Sequence, residues 1–318
     1  MALAAVGLLV AAPLWLPVAA VVDLVRGRPR LPIIRLLGFA LGWSWLESVA
    51  IVATGLAWVA GQRGNHALHY RLQRWWAAQL MTILRTTTGL RIEVEDHSML
   101  HPGPLVVLCR HASLADSLVS AWVITTLAEL HPRYVLKREL LFDPCLDIVG
   151  NRLPNHFLDR GAADSTVELA ALTTLSSGMG ADDVAVIFPE GTRAAPAKRE
   201  RALAKIAERD PDRATRLGSL RHLLPPRPAG TAALLAGCPD ADVVIAWHVG
   251  FDGLDTFGGI LRHLARNPPP VRFAARRIAR AEVPSTSDAV LDAFTRWLDD
   301  QWLASDAAVA ELLEQNRS

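Results

Sequence analysis

The sequence predicts an α/β fold, a mixed and largely parallel sheet flanked by helices, preceded by an N-terminal hydrophobic two-helix membrane motif. Three observations carry this. No charged residue precedes Asp23, and the stretch from Leu36 to Gln62 holds only Glu47. Beyond about residue 65, apolar runs of strand length alternate with segments of helical period, the order of a sheet covered by helices. The 318 residues are 51% hydrophobic and only 20% charged, with a mean hydropathy of +0.22, more apolar than a soluble domain usually is. That composition excludes disordered, collagen-like and disulfide-scaffold chains. Thirty-three basic against 32 acidic residues leave a net charge of +1, so no whole-protein field draws in nucleic acid. Cys109, Cys145 and Cys238 form no C-x-x-C pair and read as free thiols in a reducing compartment.

The front is read first. Met1 to Val22 is long enough, at about 1.5 Å per helical residue, to span a hydrocarbon core of about 30 Å. A signal peptide is the alternative, but no Lys or Arg precedes the apolar run. Arg26, Arg28, Arg30 and Arg35 lie on one side of the second apolar stretch, and Arg63, Arg71 and Arg74 on the other. Two full spans would put one basic cluster outside, against the positive-inside tendency. A hairpin lying partly in one leaflet avoids that, with Trp15, Trp43, Trp45 and Trp58 near the interface. Residues 1–64 are thus expected to be a membrane-anchoring helical hairpin, and 65–318 an α/β domain with a C-terminal helix, its catalytic face cytosolic.

Strands are expected at Arg91–Glu95, which alternates, and at Pro104–Cys109, which is continuously apolar. Ser113–Leu127 has helical period. Arg133–Lys137, His156–Leu158 and Val184–Phe188 continue the strands, with a helix over Asp164–Ser177; Val243–Trp247 and Val271–Ala274 follow. Ser287–Glu314 sets Val290, Leu291, Phe294, Trp297, Leu298 and Trp302 at helical spacing, a stripe expected to pack on the domain. Lys198–His222 carries eight basic and four acidic residues. It reads as a solvated helix face, with contact to anionic headgroups or a phosphorylated acyl carrier as the alternative.

Two segments carry chemistry. Arg110-His-Ala-Ser-Leu-Ala-Asp-Ser117 follows directly on a buried strand, where α/β folds place their sites. His111 supplies an imidazole suited to act as a base near neutral pH, and Asp116 a carboxylate to fix its tautomer. Alone, that spacing is expected about 0.6 times by chance in this composition, and His111 would read as a surface histidine. The second segment, Phe188-Pro-Glu-Gly-Thr-Arg193, ends a strand in a turn bearing a carboxylate, a hydroxyl and a guanidinium. Arg193 suits a phosphate, because its planar fork binds two oxygens.

These segments together resemble the glycerolipid and lysophospholipid acyltransferases of the 1-acylglycerol-3-phosphate acyltransferase type. Val135-Leu-Lys-Arg-Glu-Leu140 and Phe157-Leu-Asp-Arg160 resemble further blocks of that family. Leu223–Thr231 and Val271–Ile278 are similar to the branch that includes lysocardiolipin acyltransferases. The resemblance implies a membrane-bound O-acyltransferase moving a fatty acyl group from acyl-CoA or acyl carrier protein to the free hydroxyl of a lysophospholipid. The default acceptor is 1-acylglycerol-3-phosphate, giving phosphatidic acid. It makes His111 the general base and Asp116 its orienting partner, with no covalent acyl-enzyme. Glu190, Gly191, Thr192 and Arg193 would position the acceptor, with Arg193, Arg160 and Lys137 near its phosphate. The partners implied are the lipid bilayer, the lysophospholipid and the acyl donor; no metal or resident cofactor is implied. Two departures stand out. The fourth block reads Val244-Ile-Ala-Trp-His-Val249 where proline is usual, and Ser113-Leu114 replaces the more frequent pairs. Both leave the acceptor more open than the reaction.

Other readings sit beside these. The acceptor is alternatively another lysophospholipid or a glycolipid, or the chain is a non-catalytic anionic-lipid-binding membrane protein of the same fold. Asp159 and Arg160 read alternatively as a local ion pair, and His156 as structural. His66, His69, Trp75 and Trp76 suit a membrane-interface helix better than a metal box. Gly178-Met-Gly180 is a helix end, since it follows a helix and precedes a strand.

Overall fold

The computed structural model describes residues 2–113, 115–159, 165–251, 254, 256–267, 269–286 and 291–316. The first apolar stretch folds as two helices rather than the one expected, α1 (Ala2–Val10) and α2 (Ala12–Val25), bent by 71°. Pro13 explains the break: it has no N–H, and its ring clashes with the carbonyl four residues back in a continuous helix. Across the bend the Trp15 indole donates to the Leu8 carbonyl at 2.7 Å. Asp23, buried at the end of α2, accepts the Ile33 N–H at 2.8 Å and so caps α3 (Pro32–Val59) from outside that helix.

Helix α3 is the one described helix long and apolar enough by itself to cross a membrane. Trp45, Val49, Val52, Leu56 and Val59 are exposed along it at spacings of four and three, a single apolar face turned away from the protein. Its other side packs on α4 (His66–Thr88). There Gly42 lets the helices close, since a Cβ would come within 2.6 Å of Ile83, and Arg35 donates to the Thr88 carbonyl at 2.9 Å. At the head of α4 the buried His69 ring bonds the Asn65 carbonyl at 2.8 Å, on the residue that caps the helix.

The sheet then builds through β1 (Ile92–Val94), β2 (Leu105–Cys109), α5 (Asp116–Trp122), β3 (His131–Lys137), α6 (Pro144–Gly150), β4 (His156–Leu158), α7 (Ser165–Ser176) and β5 (Asp183–Ile187). Helices α8 (Pro196–Ala207), α9 (Pro211–Leu217) and α10 (Pro228–Gly237) follow, then β6 (Asp242–Val249), α11 (Phe257–Ala265), β7 (Val271–Ile278) and α12 (Leu291–Gln315). The strand order is β1-β7-β6-β2-β5-β3-β4, and every neighbouring pair is parallel except β6 and β7. This is the mixed, largely parallel sheet flanked by helices that the sequence predicts.

The two-residue period of the strands divides the core. Val106, Leu108, Ala185, Ile187, Val243 and Ile245 face α7, α10 and α12; Val107, Cys109, Val184, Val186, Val244 and Ala246 face α4 and α5. Burial on both faces is why β2 reads as an unbroken apolar run.

Boundaries shift for identifiable reasons. The helix expected from Ser113 begins at Asp116, because the Ala112 and Ser113 N–H groups bond the Asp116 carboxylate instead of entering a helix. Its last turn, Val123–Leu127, widens into a π-helix. Strand β7 runs on to Ile278, beyond the expected Ala274. Strand β1 covers only Val271–Phe273, so Arg276 and Arg277 sit where one edge is open, and Arg277 pairs with Asp242 at 2.7 Å. In α12, Phe294, Leu298 and Trp302 are fully buried, as the stripe requires. Its buried carboxylates fasten the preceding segment. Asp299 takes Arg213 through two bonds of 2.8 and 2.9 Å, and Asp306 accepts the N–H groups of Arg221, His222 and Leu223 at 2.7–2.9 Å.

Candidate active site

Strands β2, β3, β4, β5 and β6 run parallel, so their carboxyl ends share one edge of the sheet, the edge where open α/β sheets bind ligands. His111 and Asp116 follow β2 there, Glu190 to Arg193 follow β5, and Lys137 closes β3. Arg160, beyond β4, lies outside the described residues, as does Leu114.

His111 Nδ1 is 3.1 Å from Asp116 Oδ2; the imidazole keeps 20% of its surface exposed and the carboxylate only 1%. The same oxygen accepts the Ser113 N–H at 2.6 Å, and Asp116 Oδ1 accepts the Ser113 hydroxyl at 2.5 Å. A carboxylate filled this way cannot turn. It also fixes the His111 tautomer with Nδ1 protonated, leaving Nε2 as the nitrogen able to take up a proton. Burial would raise the Asp116 carboxyl, but His248, the His111 contact and the Ser113 bonds outweigh it and hold the group below the usual carboxylate range. The Phe188 ring is tilted against that of His111, centroids 5.0 Å apart.

The turn after β5 supports this pair. Glu190 is buried, and its two oxygens accept the backbone N–H groups of His111 and Leu224, each at 2.9 Å. Burial pushes its carboxyl up to about 8, against the opposing pull of those amides and of Arg110 and with a smaller push from Asp116. The Ala194 N–H donates to the His111 carbonyl at 2.7 Å, a second tie between the two loops. Gly191 has φ +69°, a left-handed backbone that favours glycine, and a Cβ there would lie 3.2 Å from the Arg227 guanidinium. The Thr192 hydroxyl accepts from Lys198 Nζ at 3.2 Å. Arg193 Nη1 is buried with no hydrogen-bond partner among the described residues.

Of the candidates read from sequence, the structure therefore brings His111 and Asp116 into direct contact and ties Glu190 to the backbone of His111. The Glu190 carboxyl is occupied by the protein itself. Asp159 pairs with Arg138 at 2.5 Å, and His156 with Glu168 at 2.7 Å. Sequence reasoning passed over Arg110 and His248. Arg110 is buried and donates to the His248 carbonyl, and His248 Nε2 lies 3.2 Å from Asp116 Oδ1. The available signal was strand period: His248 falls on the same face as Val244 and Ala246, the face that carries α5. Among the described residues, no group of three or more His, Cys, Asp or Glu is arranged to hold a metal ion.

Residues 91–248, which span β1 to β6, match the family model described as Acyltransferase. This segment belongs to the acyltransferase family. The acyltransferase segment contains every candidate residue named above and includes His248 as its last position. Over 82% of this chain and 95% of the other, the molecule aligns with the crystal structure of the 1-acyl-sn-glycerophosphate (LPA) acyltransferase, PlsC, from Thermotoga maritima, at a TM-score of 0.43 and 14% identity. No curated protein matches the sequence.

Proposed function

We propose that the chain is a membrane-bound O-acyltransferase that moves a fatty acyl group from the thioester of acyl-CoA or acyl carrier protein to the free hydroxyl of a lysophospholipid. The favoured acceptor is 1-acylglycerol-3-phosphate, and the product phosphatidic acid. The observation that carries this reading is the His111–Asp116 pair, a part-exposed imidazole held at 3.1 Å by a buried carboxylate within an acyltransferase segment. His111 Nε2 takes the hydroxyl proton as the acceptor oxygen attacks the thioester carbonyl. Asp116 stabilises the imidazolium that forms. The new C–O bond forms, the C–S bond breaks, and the departing thiolate recovers the proton from His111, so the base is restored without a covalent intermediate. Arg193, with Arg160 and Lys137, receives the acceptor phosphate; the buried, unpartnered Nη1 of Arg193 supports that role, since it is a cationic donor awaiting an oxygen. The exposed apolar face of α3 supports seating in lipid; the proposed orientation puts the α/β domain on the cytosolic side.

The test is transfer by detergent-purified protein of label from radiolabelled oleoyl-CoA to lysophosphatidic acid, with His111→Ala alongside. Labelled phosphatidic acid from the wild type alone supports reaction and base together. Equal transfer by both would overturn the mechanism. Transfer to neither would reject this donor and acceptor pair.

A further inference from the structure

We propose that His248 is a positioning residue for the His111–Asp116 pair: its imidazole holds the far oxygen of Asp116 and so sets how much of the carboxylate charge reaches His111. The inference rests on the reading of His111 as the base. Asp116 stands between two histidines, with Oδ2 3.1 Å from His111 Nδ1 and Oδ1 3.2 Å from His248 Nε2. The two rings differ in environment. His111 reaches solvent, whereas His248 is buried at the end of β6, edge-on to Phe251 with ring centroids 5.5 Å apart. Nothing about that site gives His248 access to a substrate, so it acts through Asp116.

The register of the sheet makes the placement rigid. Cys109 pairs with Ala246 across β2 and β6, and the Arg110 N–H donates to the Ala246 carbonyl at 2.9 Å. The Arg110 guanidinium then grips the His248 carbonyl. The strand that delivers His111 and the strand that delivers His248 are thereby locked in register just where the two rings meet one carboxylate.

The titratable and charged groups around the cluster are Cys109, Arg110 and His111 from β2 and the loop after it, Asp116 from α5, and Glu190 from the turn after β5. Burial, aided by Asp116, pushes the Cys109 thiol up to about 12, so it stays uncharged. Arg110 and Glu190 belong to both states of the comparison below. Removing the His248 ring takes away the polar group that lies 3.2 Å from Oδ1 and lowers the Asp116 carboxyl electrostatically. The carboxylate charge is then shared among fewer partners, the His111 imidazolium is better stabilised, and His111 titrates at higher pH.

The experiment follows the His111 ring signal by NMR in full-length, detergent-solubilised protein with labelled histidine, the signal being assigned by its loss in His111→Ala. His248→Ala is expected to move the His111 titration up by about half a pH unit or more. It should also lower kcat by about 10- to 100-fold, the range found on removing outer groups that orient metal-bound imidazoles, with the acceptor KM within about twofold. His248→Gln, whose side-chain amide returns a polar N–H group beside Oδ1, is expected to restore both. An unmoved titration with unchanged kcat in His248→Ala overturns the proposal, as does a His248→Gln protein as impaired as the alanine variant. If the alanine variant fails to fold, His248→Asn, too short to reach Oδ1, takes its place in the comparison. A wild type that transfers no acyl group would reject the proposed reaction, while the His111 titration would still decide the role of His248.

Discussion

Glu190 holds His111 by its backbone: Oε1 accepts the His111 N–H at 2.9 Å, while Oε2 accepts the N–H of Leu224 at the same distance. The carboxyl of the Phe-Pro-Glu-Gly-Thr-Arg turn is thus a clamp between the loop bearing His111 and the segment leading into α10. Glu190→Gln can accept only one of the two N–H groups and sets its own NH2 against the other. The variant is expected to lose about 1–3 kcal/mol of stability and to lower kcat more than acceptor KM. Thermal unfolding and steady-state kinetics check both. The pH dependence has a definite sign. The folded carboxyl titrates near 8 against an ordinary 4.5, so the folded protein holds this proton more tightly than the unfolded chain. That contribution is fully present below about 4.5 and is lost as pH rises through about 8. The wild type should therefore lose stability relative to Glu190→Gln across that window.

His111→Ala should lower turnover by about 10²–10⁴-fold, the usual worth of a positioned general base. The Ser113 N–H and hydroxyl remain on Asp116, so the melting temperature should fall less than in Glu190→Gln. Turnover within tenfold of wild type would remove His111 from the proton transfer.

Arg193→Ala should raise the acceptor KM by the loss of a charge-assisted contact, about 1.5–3 kcal/mol or roughly 10- to 150-fold. Little change is expected in kcat at saturation. An acceptor lacking phosphate should be turned over equally by the two proteins.

Asp306→Ala removes the acceptor of three consecutive backbone N–H groups, Arg221 to Leu223, immediately before the Leu224 N–H that binds Glu190. A loss of about 3 kcal/mol is expected, with faster amide hydrogen exchange across residues 221–224 and a fall in kcat despite the distance in sequence from His111. Undisturbed exchange there would show that α12 does not brace the site.

Val52→Arg combined with Leu56→Arg places two guanidinium groups on the exposed apolar face of α3, each costing about 2.5–3.5 kcal/mol in a bilayer centre. Protein should shift from the membrane pellet to the supernatant while the α/β domain keeps its melting temperature. Retention in the pellet would mean that this face does not meet lipid.

Much of the molecule was legible because its signals are local. The unbroken apolar run of β2 and the helical stripe of Phe294, Leu298 and Trp302 are patterns within one element, and both hold. The residues at the strand ends stand out because Arg193 and Glu190 are costly to place in an apolar turn without a use. What escaped depends on partners far apart in the chain. Nothing near Glu190 in sequence announces that a backbone N–H at Leu224 will take one of its oxygens, since amides carry no residue identity. His248 is a single imidazole in an otherwise apolar strand; only the register of β6 on β2 brings it to Asp116. The π-turn after Trp122 and the reach of β7 to Ile278 likewise follow from tertiary packing. The break between α1 and α2 was readable from Pro13, but apolar length masked it.

Helix α3 also packs on α6 and α11, which follow β3 and β6, two strands that end on the edge bearing His111. On the proposed seating of α3 in lipid, that edge rides at the surface where the proposed one-tailed acceptor is already dissolved. The search for the acceptor becomes two-dimensional: what matters is molecules per unit area of surface, and the product departs sideways into the same sheet of lipid. In vesicles, rate would then follow the mole fraction of acceptor in the surface, and dilution with inert lipid would slow the enzyme even though the amount of acceptor per millilitre stayed the same.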